Sequence, residues 1–384
     1  MGTSVLSHVY AFGGGIATYG VPFLFVLSLV VFFHEFGHFI VARWCGVRVL
    51  VFSIGFGPEL VGFNDRHGTR WKISAIPLGG FVKFLGDDNV TSTPDGSANA
   101  AALDPSERAQ SFMFQPVYKR AAVVVAGPVA NFILAIVIFA GVFMLYGKQT
   151  MSARVDSVQP DSAAAAAGFK TGDLVVAIDG HHIESFADMQ RVVGENAGET
   201  LQVTVQRDGV EQTLEATPTL KEVKDNFGNT HRVGILGISR SMAPEDLTFH
   251  PVAPPQAVWM ATQETWSVIS RTLGYIGGVI TGREAANQLG GPIRIAQMSG
   301  QVASFGFVPL LQLAAVLSVS IGLLNLFPVP LLDGGHLLFY MIEAVRGRPL
   351  SERAQEVGFR IGLAIVFMLM IFATFNDIVH LTTS

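Results

Sequence analysis

The sequence predicts a polytopic α-helical membrane protein with about four transmembrane helices, one α+β extramembrane domain and a membrane-associated β-hairpin. Three observations predict it. Half of the 384 residues are hydrophobic, only 14% are charged, and the mean hydropathy is +0.44. Four stretches, 22–42, 121–146, 308–332 and 357–375, are apolar over close to the ~20 residues that cross a bilayer. Between the second and third stretches, residues 201–217 alternate apolar with polar and turn at Asp208-Gly209, a hairpin pattern.

The elements follow in chain order. Segment 1–46 holds the first span and a His-Glu-x-x-His motif. The N-terminus has neither the basic start nor the small-residue cleavage site of a signal peptide, so this span is expected to be retained. Segment 47–117 is a loop in which "RWKISAIPLGGFVKFLG" places two β-prone runs around Pro-Leu-Gly-Gly, predicting a hairpin over 73–84. Residues 89–102, rich in Ser, Thr, Ala, Gly and Asp, read as a mobile loop. Segment 118–147 is the second span and carries "GPVAN".

The α+β domain is expected over 150–220. It comprises a strand at 154–158, a helix in "PDSAAAAAG" capped by Asp161 and stopped by Gly168, a strand in "DLVVAIDG", a second helix in "SFADMQRVVG" and the hairpin. In 250–300, Trp259, Trp266, Ile269, Leu273, Ile276 and Ile280 recur at helical steps, with Glu264 and Arg271 opposite. Such a helix lies in the membrane interface or packs on the protein's own spans. Segment 305–384 holds the third and fourth spans, the fourth with Arg360 positioned to snorkel.

Charge sets the expected orientation. Arg43, Arg48, Arg66, Arg70, Lys72, Lys83, Arg108, Lys119 and Arg120 lie between spans one and two, and Arg346, Arg348 and Arg353 between spans three and four. Positive loops stay inside, so both termini and the α+β domain are expected outside the cytoplasm. The net charge of -5 gives no nucleic-acid footprint. The single cysteine, Cys45, can form no internal disulfide.

His34 and His38 stand four residues apart, so on a helix they share a face and offer two nitrogens to one metal. Glu35 stands beside them as a candidate general base. Ionisable groups inside a span are costly and mark function. Zn2+ suits such a donor set and wants a third protein ligand with a fourth position open. In "NLFPVPLLDGGH", at the end of the third span, Asp333 and His336 are both candidates.

At these motifs the chain resembles a known family. His-Glu-Phe-Gly-His in the first span, "GPVAN" in the second (Gly127, Pro128, Asn131) and "NLFPVPLLDGG" in the third match the site-2 protease family of intramembrane zinc metalloproteases. "AAGFKTGDLVVAIDG" resembles a bacterial PDZ domain, and a PDZ domain between spans two and three is similar to the regulator-of-sigma-E (RseP-like) group. That group's best-known members carry two such domains, and this chain has one. The resemblance implies His34, His38 and Asp333 as zinc ligands, Glu35 as general base, and Asn325 close to the active site. It further implies that the 73–84 hairpin, with Ile73, Gly79, Gly80 and Phe81, meets the substrate. A bacterial inner-membrane location is implied, with the active site near the cytoplasmic side. So is a single-span substrate, such as an anti-sigma factor or a signal-peptide remnant. Two alternatives remain at this level: a metal-ion transporter, and a PDZ-bearing scaffold with a non-catalytic metal site.

Overall fold

The computed structural model describes residues 16–86, 104–147, 152–183, 185–224, 230–240, 252–282 and 290–383, so the loop read at 89–102 lies outside the described residues. Four helices are long and apolar enough to cross a membrane: Ala17–Trp44, Val117–Tyr146, Phe307–Asn325 and Arg353–Val379. The chain divides into two compact units, with the α+β domain inside Phe143–Ala253 and the four candidate spans almost wholly in the other.

In the membrane unit, α1 is Val21–Trp44, followed by β1, Val49–Asn64, and β2, Arg70–Phe84. Next come α2, Val117–Tyr146; α3, Pro254–Ile280; α4, Pro292–Ser304; α5, Phe307–Asn325; α6, Asp333–Arg346; and α7, Glu352–Thr383. Lipid tails are as apolar as leucine, so spanning helices associate through close packing of small residues. Gly37 of α1 does this: a Cβ there would strike the Ala126 carbonyl and the Ala130 methyl of α2. Ala135, Ala314 and Ala315 are likewise fully buried.

The third span is shorter than its hydropathy predicts. Its helix stops at Asn325, because Pro328 and Pro330 remove backbone donors and push their predecessors out of helical geometry. The chain then turns through Leu331, at φ +126°, and a new helix starts at Asp333.

The 73–84 hairpin is not what forms. Residues 49–54 of β1 lie between two parts of β2, with Ser53 beside both Lys72 and Phe81, and Ile54 beside both Ile73 and Gly80. The far end of β1 pairs with the near end of β2, Asn64 opposite Arg70. The two runs around Pro-Leu-Gly-Gly are therefore separated by a strand from earlier in the chain. Buried Ser53 and Ser74 hydroxyls meet at 3.1 Å inside this sheet. The turn between β1 and β2 is held by Asp65, which accepts from the His67 and Thr69 amides, from Trp71 Nε1 and from Arg43 at the end of α1. Partial burial works against its charge, but these donors outweigh it and hold its carboxyl at about 2.

On α3, the buried positions are Ala257, Ala261, Thr265 and Val268. Trp259, Trp266, Leu273 and Ile280 stay exposed. The stripe read from the sequence thus faces outward, and the small-residue face does the packing. At the start of α7, Arg360 pairs with Glu356 one turn earlier at 2.6 Å.

The α+β domain has a four-stranded sheet in the order His181–His182, Leu174–Ile178, Leu201–Arg207, Val210–Ala216. Helices Ala163–Ala167 and Phe186–Glu195 accompany it, and Val155, Val175, Ile178, Val203 and Val205 are fully buried in its core. Burial of each such side chain contributes roughly 1.5–3 kcal/mol. Two details differ from expectation. Ser162, not Asp161, caps the first helix, its hydroxyl accepting from the Ala165 amide at 3.1 Å. The domain also runs past residue 220: Leu236 joins the core, and Ile238 pairs with Val158.

Candidate active site

The site is built where α1, α2, the sheet and the α5–α6 turn meet. A cavity of about 510 Å³ is lined by His34, Glu35, His38, Gly79, Gly80, Phe81, Asn325 and Asp333, among others. All but one of the predicted site residues therefore meet. Ile73 does not; it sits on an inner run of the sheet, between Ile54 and Val61, with its side chain half exposed.

His34 and His38 fall on one face of α1, with Nε2 atoms 3.3 Å apart. Asp333 Oδ2 lies 3.2 Å from His34 Nε2 and 3.6 Å from His38 Nε2. Asp333 is the first residue of α6, and Leu332 holds the cap position, so the carboxylate is not used as a helix cap. His336 lines the cavity but stands outside the triad, its ring against Phe359 at 5.3 Å. An ion pair fixes α6 against α2: Arg120 meets Glu343 at 2.6 Å and stacks over Tyr340.

The second spanning helix orients the imidazoles. The Val123 carbonyl accepts from His38 Nδ1 at 2.8 Å, which leaves a lone pair on Nε2 facing the triad. Gly127 makes room for both rings: a Cβ there would overlap His38 Nε2 and come within 3.0 Å of His34 Cε1. Asn131 Nδ2 lies 3.2 Å from His34 Nδ1, and Asn325 Nδ2 lies 3.4 Å from His34 Nε2. The sequence marks Asn131 as the last residue of the "GPVAN" motif but does not show which ring it meets. The Val123 carbonyl carries no sequence signal, since every residue has one.

The donors fit a metal ion. Tetrahedral zinc with bonds of about 2.0–2.2 Å separates its ligands by roughly 3.3–3.5 Å. The three separations here bracket that range. Asp333 Oδ2 is buried and receives no hydrogen bond. An acceptor oxygen aimed at the His38 lone pair is repulsive unless a cation lies between them.

Gly80 brings the sheet to this point. A Cβ at residue 80 would come within 2.9 Å of Val31 Cγ1 and 3.0 Å of Glu35 Cγ. Residues 80–84 therefore run directly beside the Glu-bearing helix, and among the described residues no strand pairs with their outer edge.

A peptidase motif carried on a helix this apolar, and completed by an acid from a distant helix, defines a class: the membrane-embedded metallopeptidases. Within that class the chain belongs to peptidase family M50, whose profile matches residues 22–369. It is similar to a protein of Agrobacterium fabrum provisionally named zinc metalloprotease Atu1380, 53% identical over 97% of this chain and 99% of that one. It is also similar to metalloprotease MmpA of Caulobacter vibrioides, 40% identical over 93% of this chain and 94% of that one. Among solved structures, the PDZ domain of an SdrC-like protein from Listeria monocytogenes is 23% identical. That match covers 22% of this chain and 83% of that domain, with a TM-score of 0.18. The protein is thus a zinc metalloprotease and an integral membrane protein.

Proposed function

We propose that the protein is an intramembrane endopeptidase that cuts peptide bonds within or beside the transmembrane segment of a membrane-protein substrate. The observation that carries this reading is the meeting of His34 Nε2, His38 Nε2 and Asp333 Oδ2 on helices apolar enough to cross a bilayer. In this reading the three atoms hold Zn2+, which when bound acidifies a water and polarises a peptide carbonyl. Glu35 takes a proton from the attacking water as its oxygen bonds to the carbonyl carbon. It then returns that proton to the departing amide nitrogen as the C–N bond breaks. The Asn325 amide donates toward the oxygen on which charge develops.

A spanning helix hides its carbonyls in internal hydrogen bonds, and unwinding it in lipid leaves backbone groups unpaired at several kcal/mol each. The outer edge of residues 80–84 offers replacement partners, so we assign it to receive the unwound segment as an added strand. Gly79, Gly80 and Phe81 then contact substrate, while Ile73 supports the sheet. The family resemblance favours a single-span protein already shortened outside, such as an anti-sigma factor, or a signal-peptide remnant. By the charge rule, the active site lies near the cytoplasmic face of a bacterial inner membrane. The α+β domain, PDZ-like in sequence, would act on the other side as a filter or docking site. The exposed Trp259 and Trp266 face of α3 suits the membrane interface.

The test uses purified protein in vesicles with a single-span substrate. The wild type should cut within the span. Glu35→Gln should keep its zinc and lose ~10²–10⁴-fold in rate. Cuts confined to soluble loops would remove the intramembrane reading. Zinc flux without cleavage would favour a transporter.

A further inference from the structure

We propose that Asn131 is the positioning residue for His34: its amide oxygen accepts from Nδ1–H and so holds the ring in the tautomer whose Nε2 is free for zinc. The inference rests on the metal reading above.

A neutral imidazole has one donor nitrogen and one acceptor nitrogen, and the partner of one decides the role of the other. For His38 the partner is a carbonyl, which can only accept, so its tautomer is fixed. Among the described residues no backbone carbonyl is bonded to His34 Nδ1. That Nδ1 lies 3.2 Å from Asn131 Nδ2, and because the nitrogen and oxygen of an amide exchange places by a half-turn, this side chain can present either a donor or an acceptor to the ring.

The two orientations have opposite consequences. With Nδ2 toward the ring, Nδ1 must accept and Nε2 carries the proton. His34 then cannot ligate a metal, and Asn131 Oδ1 is buried without a hydrogen bond. With Oδ1 toward the ring, that oxygen gains a donor. The His34 Nε2 lone pair then points to the same place as His38 Nε2 and Asp333 Oδ2. Only the second orientation gives three ligands, and partners of this kind typically change metal affinity by ~10–100-fold.

The placement is firm. Asn131 is completely buried on α2, and its own backbone carbonyl accepts from Ser318 of α5 at 2.9 Å. The amide is therefore held between two spanning helices with its end against the ring. One helix, α2, would set the tautomers of both histidines, through Val123 for His38 and Asn131 for His34.

The experiment measures zinc affinity by competition with a chelator in detergent-purified protein, without substrate. Asn131→Leu keeps the size but cannot accept, and should weaken zinc ~10–100-fold. Asn131→Asp presents only acceptors, and should bind zinc at least as tightly as the wild type. His34→Ala is the control for the parent reading: if it binds zinc like the wild type, the metal site itself is misassigned. If His34→Ala fails while Asn131→Leu stays within about twofold, far below the expected ~10-fold, only the Asn131 inference falls. Loss of zinc by both Asn131 variants would mean that the donor face is the one required. Should the variants fold poorly, the ring nitrogens of 15N-histidine-labelled wild type decide. His34 must show a protonated Nδ1 and an unprotonated Nε2, and the reverse pattern overturns the proposal.

Discussion

Asp173 of the α+β domain and Asp333 of the membrane unit are treated in opposite ways, although the fully buried aspartate of the membrane unit, Asp377, accepts from the Gly291, Ile293 and Arg294 amides and is served as Asp173 is. Asp173, in the domain, is 1% exposed and fully served. Arg207 meets its two oxygens at 2.7 Å each, and the Lys170 amide donates at 2.8 Å. The bidentate Arg207 bond is the main reason that its carboxyl is held below the usual range, against the penalty of burial. Asp333, in the membrane unit, turns a buried oxygen toward two imidazole nitrogens and receives no hydrogen bond on it. Leaving a charged acceptor unserved costs more in a membrane interior than beside water. The arrangement therefore serves something other than folding. Asp173 is surrounded by donors, whereas Asp333 faces two imidazole nitrogens, which is the arrangement the proposed metal reading requires.

The strongest way to break this contrast is to remove each carboxylate's role in turn. Asp333→Ala should lower zinc affinity by more than about 100-fold, beyond what residues that only orient a ligand contribute. Elemental analysis should find His336→Ala still loaded, and the reverse ranking would make His336 the ligand. Next in size is Arg207→Ala. It leaves the Asp173 carboxylate without its bidentate partner and should destabilise the α+β domain while leaving zinc content unchanged. Limited proteolysis of that domain reads the loss. Unaltered resistance would mean that Asp173 tolerates isolation as Asp333 does, and the contrast would fail.

A smaller effect sharpens the comparison through pH. The Asp65 carboxyl is held at about 2, below its ordinary 3.8. Its contribution is therefore fully present above about pH 4 and is lost as the pH falls through about 2. Trp71, whose indole N–H donates to Asp65 at 3.2 Å, provides a fluorescence signal for that step. Asp65→Asn should remove the step. A fluorescence change of the same size in the variant would mean that another group controls the β1–β2 turn.

Much of the site was legible because it is local. The i, i+4 pairing of His34 and His38 follows from helical geometry alone, and Glu35 is its neighbour. The four spans follow from hydropathy over single stretches, and the Asp208-Gly209 hairpin from alternation within a few residues. Even the Ser162 cap, misread as Asp161, was missed by only one position. The errors were of another kind. A turn-like Pro-Leu-Gly-Gly suggested neighbouring strands, yet residues 49–54 lie between them, because pairing partners are chosen by packing against α1 and α2. The family resemblance groups Ile73 with Gly79–Phe81 as one substrate-meeting hairpin, and the inserted strand separates them.

What the sequence determined by itself is therefore the class of chemistry: two imidazoles and an acid on one apolar helical face. The tertiary structure set which acid lies beside the two histidines, how the rings are oriented and which strand borders the cavity. Asp333 and His336 are three residues apart on paper and equally able to bind a metal. Only the rotation of α6, fixed by the break after Asn325 and by the Arg120–Glu343 pair, turns one into the triad and the other against Phe359. Such choices rest on contacts between segments distant in the chain. These depend on how closely two backbones can approach at residues such as Gly37, Gly80 and Gly127, and no local pattern records that distance.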